Sequence, residues 1–316
     1  MANADKIGEI NKSTEHSETY HTPVLLVEVV EGLSIQPGGI YVDCTFGGGG
    51  HSKAILEKLD STGKLIVFDQ DASAKQNKPP DERVIFVQQN FRHLQRFLRV
   101  NKVVTVDGIL ADLGVSSHQF NEAERGFSIR FDAALDMRMD NRQTLTAAAI
   151  IKQFSELQLQ KMFEKYGEVT NAKTLAKTIV AQRSIAAIKT INQFREAIKN
   201  IVKGNPNKYL AQVFQALRIE VNDEMGALKE MLEQSVTVLK PGGRIVVISF
   251  HSLEDRLVKN FFKQGTFEEV PADDVFGIRP ETPLKIITRK PILPGNTEQK
   301  INTRSRSAKL RIAEKK

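Results

Sequence analysis

Residues 40–52 read Ile40-Tyr41-Val42-Asp43-Cys44-Thr45-Phe46-Gly47-Gly48-Gly49-Gly50-His51-Ser52, and residues 64–71 read KLIVFDQD, with a segment of helical period between them. A short apolar strand that runs into glycines and then a helix opens a βαβ unit. Glycine permits positive φ and, without a Cβ, lets a ligand approach the main chain where the strand ends. The helix start beyond it offers unpaired N–H groups to an anion. Asp69 stands eighteen residues past His51 at the end of the second strand, where a carboxylate can accept from both hydroxyls of a ribose. A tight turn and a surface acid are the bland readings of these two features. Their conjunction with strand, helix and strand favours a nucleotide-type pocket.

Working outward, RVIFVQQN (83–90), FRHLQRFLRV (91–100) and VDGILADL (106–113) continue the rhythm, which predicts four strands of a doubly wound, mostly parallel sheet. Residues 114–143 form a long polar loop, and loops of that length inside compact domains are usually functional. The period is then helical only. Thr144, Ser155, Asn171 and Thr190 stand at N-cap positions, and Gly167 and Gly204 stand where helices stop. A helical stretch (214–239), a turn at Lys240-Pro241-Gly242-Gly243, a strand (244–250) and a helix (252–264) resume the α/β pattern. KIITR (285–289) and SAKLRIAE (307–314) suit an antiparallel pair at the sheet edge. The expected organisation is a flexible arm over 1–20, a sheet domain built from 21–140 and 216–316, and an inserted all-helical subdomain over 141–215.

The 316 residues are 41% hydrophobic and 26% charged, which is ample material for a core and gives no case for global disorder. Cys44 is the only cysteine, so no intramolecular disulfide and no thiolate metal cluster can form within one chain. No metal is expected. The first twenty residues lack an apolar segment and no run of about 18 apolar residues occurs, so neither secretion nor a membrane partner is expected, and a cytoplasmic location is favoured. The net charge is +7, unevenly spread: residues 141–215 carry +8 and residues 285–316 another +8, on a body of −9. Two basic regions on an acidic body suit a polyanion such as nucleic acid, although solvated helix faces would give the same count.

The cofactor can be a dinucleotide or S-adenosylmethionine, since both place a ribose on the acid. A pyrophosphate wants G-x-G-x-x-G; Gly47, Gly49 and Ser52 fill those places, and the third glycine is missing. Asp43 adds negative charge near the site, which favours a sulfonium and an ammonium. Asp112 ends the fourth strand, where ligands of open parallel sheets sit. A carboxylate there can accept a hydrogen bond from an exocyclic amine and free its lone pair for attack on a methyl group; a cap or a cofactor contact is the alternative role.

These residues carry a resemblance. HTPVLLVEVV (21–30), VDCTFGGGGHS (42–52), DLGVSS (112–117), RGFS (125–128), LDMRMD (135–140), FQALRIEVNDE (214–224), GGRIVVISFHSLEDRLVKNFF (242–262) and RSRSAKLR (304–311) together resemble the bacterial 16S ribosomal RNA (cytosine-N4) methyltransferase H family over about residues 21–314. The resemblance implies a class I methyltransferase fold and S-adenosylmethionine as cofactor. Gly49, Gly50 and His51 would form the methionine and adenosine pocket, Asp69 would hold the ribose and Phe91 the adenine, with Asp112 and Gln119 completing the site and Asp112 as the catalytic candidate. Arg138, His251, Arg304 and Arg306 are the candidates for substrate contact. The implied partner is 16S ribosomal RNA within the small ribosomal subunit, and a homodimer stays open. A DNA amino-methyltransferase would show a Pro-Pro-aromatic signature after the strand-four acid, which Asp112-Leu113-Gly114-Val115 lacks. A ribosome-assembly factor that binds RNA without turnover is the remaining alternative.

Overall fold

The computed structural model describes residues 23–116, 119, 122–268 and 282–316; the expected 1–20 arm lies outside the described residues. Strands β1 (Ile40–Asp43), β2 (Lys64–Phe68), β3 (Val84–Val87), β4 (Val106–Asp112), β5 (Leu239–Ser249), β6 (Leu284–Ile286) and β7 (Lys309–Lys315) form one sheet in the order β3-β2-β1-β4-β5-β7-β6. The first five are parallel, and β7 runs antiparallel to both β5 and β6. Strand side chains alternate between faces, and here both faces are covered. Val42, Ile66, Ile109 and Val247 enter one apolar cluster, while Tyr41, Leu65, Leu110 and Val246 enter the other. That is why these strands read as unbroken apolar runs.

Eleven helices are used in the description, numbered along the chain. Helix α1 (Leu26–Leu33) precedes β1, α2 (Gly50–Leu56) joins β1 to β2, and α3 (Leu94–Val100) lies between β3 and β4. Five follow consecutively: α4 (Ala147–Gln153), α5 (Glu156–Gly167), α6 (Ala172–Ile185), α7 (Ile191–Ile198) and α8 (Pro206–Asn222). Then come α9 (Glu224–Val238), α10 (Ser252–Gln264) and α11 (Asn296–Ile301). Val29, Leu33 and Ile55 of α1 and α2 cover one face of the sheet, and Leu98, Met231 and Phe261 of α3, α9 and α10 cover the other. The five consecutive helices bury Leu159, Phe163, Ile179, Phe194 and Leu217 in a third cluster of their own, which also draws in Phe127, Leu135 and Met137 ahead of them. Each such side chain contributes roughly 1.5–3 kcal/mol when fully buried.

Local rules account for several of the helix ends. Ser155 and Thr190 make capping boxes with Gln158 and Gln193. Elsewhere the structure corrects the sequence reading. The first of the five helices is capped by Thr146, not Thr144: Ala149 N–H donates to Thr146 Oγ1 at 3.1 Å. Asn171 precedes α6 without a side-chain cap; its Nδ2 donates to Ile201 O instead. The helical stretch from 214 to 239 is broken at Asp223, which takes φ 45° between α8 and α9. Lys240 to Gly243 belong to β5 and absorb an irregularity in its register with β4, with Gly242 at φ 79°. The antiparallel pair expected at the sheet edge is present, with β7 between β5 and β6. Arg311 Nε donates to Asp255 Oδ1 at 2.6 Å and Lys309 pairs with the same carboxylate, so part of the +8 is spent internally.

Candidate active site

The strand order reverses between β1 and β4, which leaves a crevice at their carboxyl ends. A cavity of about 430 Å³ opens there, lined on one side by Gly48, Asp69 and Phe91 and on the other by Asp112, Phe250 and Glu254. The glycine run shapes its floor. Gly49 takes φ 77° at the N-cap of α2, and a Cβ on Gly50 would come within 2.3 Å of Pro23 Cγ. Gly48 is different: a Cβ there would meet nothing within 4 Å, so its smallness is unused by the protein's own packing and leaves backbone facing the cavity.

Asp43 pins the start of this loop. It is buried and accepts from Thr45 N–H at 3.0 Å and from Ser52 Oγ at 2.7 Å; burial pushes its carboxyl up, against the pull of those hydrogen bonds and of His51. Asp69 braces the other side. Its Oδ2 accepts from Gly47 N–H and its Oδ1 from Asp71 N–H, both at 2.8 Å, and each oxygen keeps a second lone pair. Burial raises the Asp69 carboxyl to about 6, with Asp71 and Asp43 adding to the rise and the two amides opposing it. Phe91 stands just after Asn90, which caps the 3₁₀ turn that presents the ring.

Asp112 ends β4. Its backbone N–H donates to Thr45 Oγ1 at 2.7 Å, its Oδ2 lies 3.7 Å from His51 Nδ1, and its Oδ1 is buried with no hydrogen-bond partner among the described residues. Its carboxyl is raised to about 6 by burial; His51 pulls it down while Asp43 and Glu254 push it up. Buried acceptors are normally satisfied, so an orphaned carboxylate oxygen in a cavity points to a donor that a ligand brings. The His51 Nε2 contact is to Val24 O at 2.9 Å.

The other sequence candidates divide. Gln119 lines the cavity, but its amide is engaged: Nε2 donates to Asp71 Oδ2 at 2.9 Å and Oε1 accepts from Ser116 N–H. Arg304 also lines the cavity, while Arg306 is exposed and away from it. Arg138 lies outside the cavity and spends its guanidinium on Asp136, at 2.7 Å to each oxygen, and on Gln143 O. His251 caps α10: Glu254 N–H donates to its Nδ1 at 3.3 Å, and its Nε2 sits 3.1 Å from Glu254 Oε1. A phosphate grip by Arg138 and a base contact by His251, both read from sequence position, would have to compete with these internal partners.

Several residues at the site were not singled out in the sequence. Asn77 Nδ2 donates to Gly47 O at 2.8 Å and holds the loop from outside. Arg125 ion-pairs with Asp71 at 2.8 Å. Burial alone would raise Asp71, but hydrogen bonds from Gln119 and Ser73, with the Arg125 charge, hold it below the ordinary range. Asn222 is buried and ties Met137 O and Met139 N–H to the end of α8. Asn90 could have been found from its place at the carboxyl end of β3; Asn77 and Asn222 carry no local signal. Glu224, His251 and Glu254 bring potential ligating atoms within 4.8 Å of one another. Both Glu224 oxygens accept from Arg218, at 2.8 and 2.9 Å, so that set is spent on internal pairing.

A seven-stranded sheet of this order, with an acid at the end of β2, another at the end of β4 and a glycine floor between them, defines a class I methyltransferase. The chain belongs to the MraW methylase family, whose pattern residues 18–316 match. Proteins named ribosomal RNA small subunit methyltransferase H are similar over nearly all of it. The one from Phocaeicola vulgatus is 55% identical over 304 residues, 96% of this chain and 100% of the relative. The one from Flavobacterium johnsoniae is 56% identical over 297 residues, 94% and 98%. An rRNA methylase of known structure from Streptococcus thermophilus aligns over 92% of this chain and 93% of its own at 12% identity and a TM-score of 0.38, too distant to add to this. The residues present fit S-adenosylmethionine, the cofactor of the class: open backbone at Gly48 and spare lone pairs on Asp69 meet a polar adenosyl ligand. Among the described residues no helix is long and apolar enough to cross a membrane.

Proposed function

We propose that this enzyme methylates the exocyclic N4 of a cytidine in 16S ribosomal RNA, acting on the small ribosomal subunit in the cytoplasm. The observation that carries the reading is Asp112 Oδ1, a buried acceptor without a donor at the switch point of the sheet, in a chain of this family. When bound, S-adenosylmethionine supplies an activated methyl group; the protein's task is alignment, worth up to roughly 7–11 kcal/mol. Asp69 would hold the ribose and Phe91 the adenine, with Gly49, Gly50 and His51 shaping the adjoining end of the pocket. Gln119 positions Asp71 and Ser116 at its rim. Asp112 accepts an N4–H hydrogen bond from the target base, which draws the amine lone pair out of conjugation, and then takes the proton that N4 gives up.

A stacked or paired cytosine hides its amine, so the base must be splayed out of the RNA and held between Asp112 and the 114–140 segment. Arg304, which lines the cavity, and the exposed Arg306 are the candidates to contact the RNA near that base. We divide the chain accordingly into a catalytic sheet domain, 21–140 and 216–316, and an inserted helical substrate domain, 141–215, with its +8 charge toward RNA. Nothing in the site requires a second copy of the chain, although a homodimer is compatible with it. The test is methyl transfer from labelled cofactor to small subunits lacking the modification, with naked 16S RNA and DNA as competitors and the product base mapped. Label on N4 of one cytidine in the particle is expected; label on DNA, or binding without transfer, overturns the proposal.

A further inference from the structure

His51 is held at both ring nitrogens. Nε2 lies 2.9 Å from Val24 O, and a carbonyl only accepts, so Nε2 carries a hydrogen. That fixes the ring and leaves Nδ1 pointing at Asp112 Oδ2, 3.7 Å away. Imidazole and carboxyl are both withdrawn from solvent: His51 is 7% exposed and the Asp112 side chain 26%. Among the described residues Asp112 receives no hydrogen bond on its other oxygen, and the remaining charged groups acting on it, Asp43 from β1 and Glu254 from α10, are both acidic. Among the described residues that face Asp112, His51 is therefore the group able to offset this negative surround.

We propose that His51 is a positioning residue for methyl transfer, its Nδ1 carrying the proton that keeps Asp112 a carboxylate in the cavity. This rests on the reading of Asp112 as the acceptor of the N4 hydrogen. A neutral carboxylic acid would present an O–H or a weaker acceptor to the amine and could not take up the proton that N4 releases. With Nε2–H on Val24 O and Nδ1–H toward Asp112, the imidazolium supplies the opposite charge that buried ionised acids otherwise lack. As the N4 lone pair bonds to the methyl carbon, the methyl–sulfur bond breaks and its electron pair leaves with the neutral thioether; the N4–H bond then breaks, its pair stays on nitrogen and the proton goes to Asp112. His51 and Asp112 then hold two protons and return one to solvent once the product leaves.

Two measurements on the full-length protein test this. The first is ¹⁵N NMR of imidazole-labelled wild-type and Asp112→Asn protein, titrated from pH 5 to 9 without cofactor. The wild type should show Nε2–H throughout, and the His51 midpoint should fall by about one unit or more when Asp112 becomes Asn, as expected for losing an opposite charge within about 4–6 Å. An unchanged midpoint, or a neutral ring protonated on Nδ1, overturns the proposal. The second is the pH profile of single-turnover methyl transfer at saturating cofactor for wild type and His51→Gln, whose amide can still donate to Val24 O. The acidic limb should move up by about one unit in the variant; a profile that superimposes after scaling overturns the proposal. Should the wild type fail to methylate small subunits at all, the functional reading falls while the NMR coupling still decides the His51–Asp112 unit, so the two failures are told apart.

Discussion

Replacing Asp69 by Asn tests the cofactor site where its geometry is most explicit. The wild-type carboxylate accepts one backbone N–H on each oxygen and offers its remaining lone pairs to the ribose. Asn keeps a single acceptor oxygen and turns an NH₂ toward either Gly47 N–H or Asp71 N–H, so one amide is orphaned and at most one ribose hydroxyl keeps its acceptor. Losing one charge-assisted hydrogen bond weakens binding by about 1.5–3 kcal/mol, roughly 10- to 150-fold in Kd. The pH behaviour adds a second signature. With the Asp69 carboxyl near 6, the form that accepts both hydroxyls is lost as pH falls, and affinity should drop about tenfold between pH 7 and pH 5.

Stability should run the other way. A carboxyl raised from 3.8 to about 6 in the fold stabilises the folded state fully below 3.8, and this contribution disappears as pH rises through 6. It amounts to about 3 kcal/mol if Asp69 acts alone. Isothermal titration of S-adenosylmethionine between pH 5 and 8 measures the affinity limb; Asp69→Asn should bind weakly and show no limb in that range. Asp112 titrates near the same pH, so Asp112→Asn serves as the control and should keep the wild-type limb. A wild-type Kd constant from pH 5 to 8, or an Asn variant within twofold of wild type, would refute the ribose assignment.

Other expected outcomes follow from single contacts. Asp112→Asn should leave cofactor affinity within a few-fold at pH 7.5 while single-turnover methyl transfer falls at least about 100-fold, the ordinary scale for removing a proton acceptor. Gly50→Ala places a methyl 2.3 Å from Pro23 Cγ and should cost about 1–3 kcal/mol, read as a lower Tm together with weaker cofactor binding. Arg311→Ala leaves the partly exposed Asp255 carboxylate with Lys309 alone; a loss of about 1.5–3 kcal/mol should lower Tm by at least about 2 °C without altering the cofactor Kd. Arg306→Ala should reduce the slope of log K against log salt for single-stranded RNA by about 0.7, and an unchanged slope removes Arg306 from the RNA interface.

Periodicity and special residues carried much of this molecule into view. Apolar runs placed β1 to β4, Ser155 and Thr190 announced their capping boxes, and the glycines with Asp69 and Asp112 located the crevice, because each signal is local: a strand period, a side chain three residues from the amide it caps, an acid at a strand end. What required the folded chain were partners distant in sequence. That Asp69 is braced by Gly47, that Gln119 and Arg125 are consumed by Asp71, and that Arg138 is spent on its own loop depend on where the chain crosses itself. The same holds for the C-terminal basic run: its strand was legible as half of an antiparallel edge pair, but the burial of Arg311 against Asp255 was not. Charge counts cannot separate a cation facing solvent from one neutralised in the fold. Pairing is a property of distance in space, and only packing fixes that.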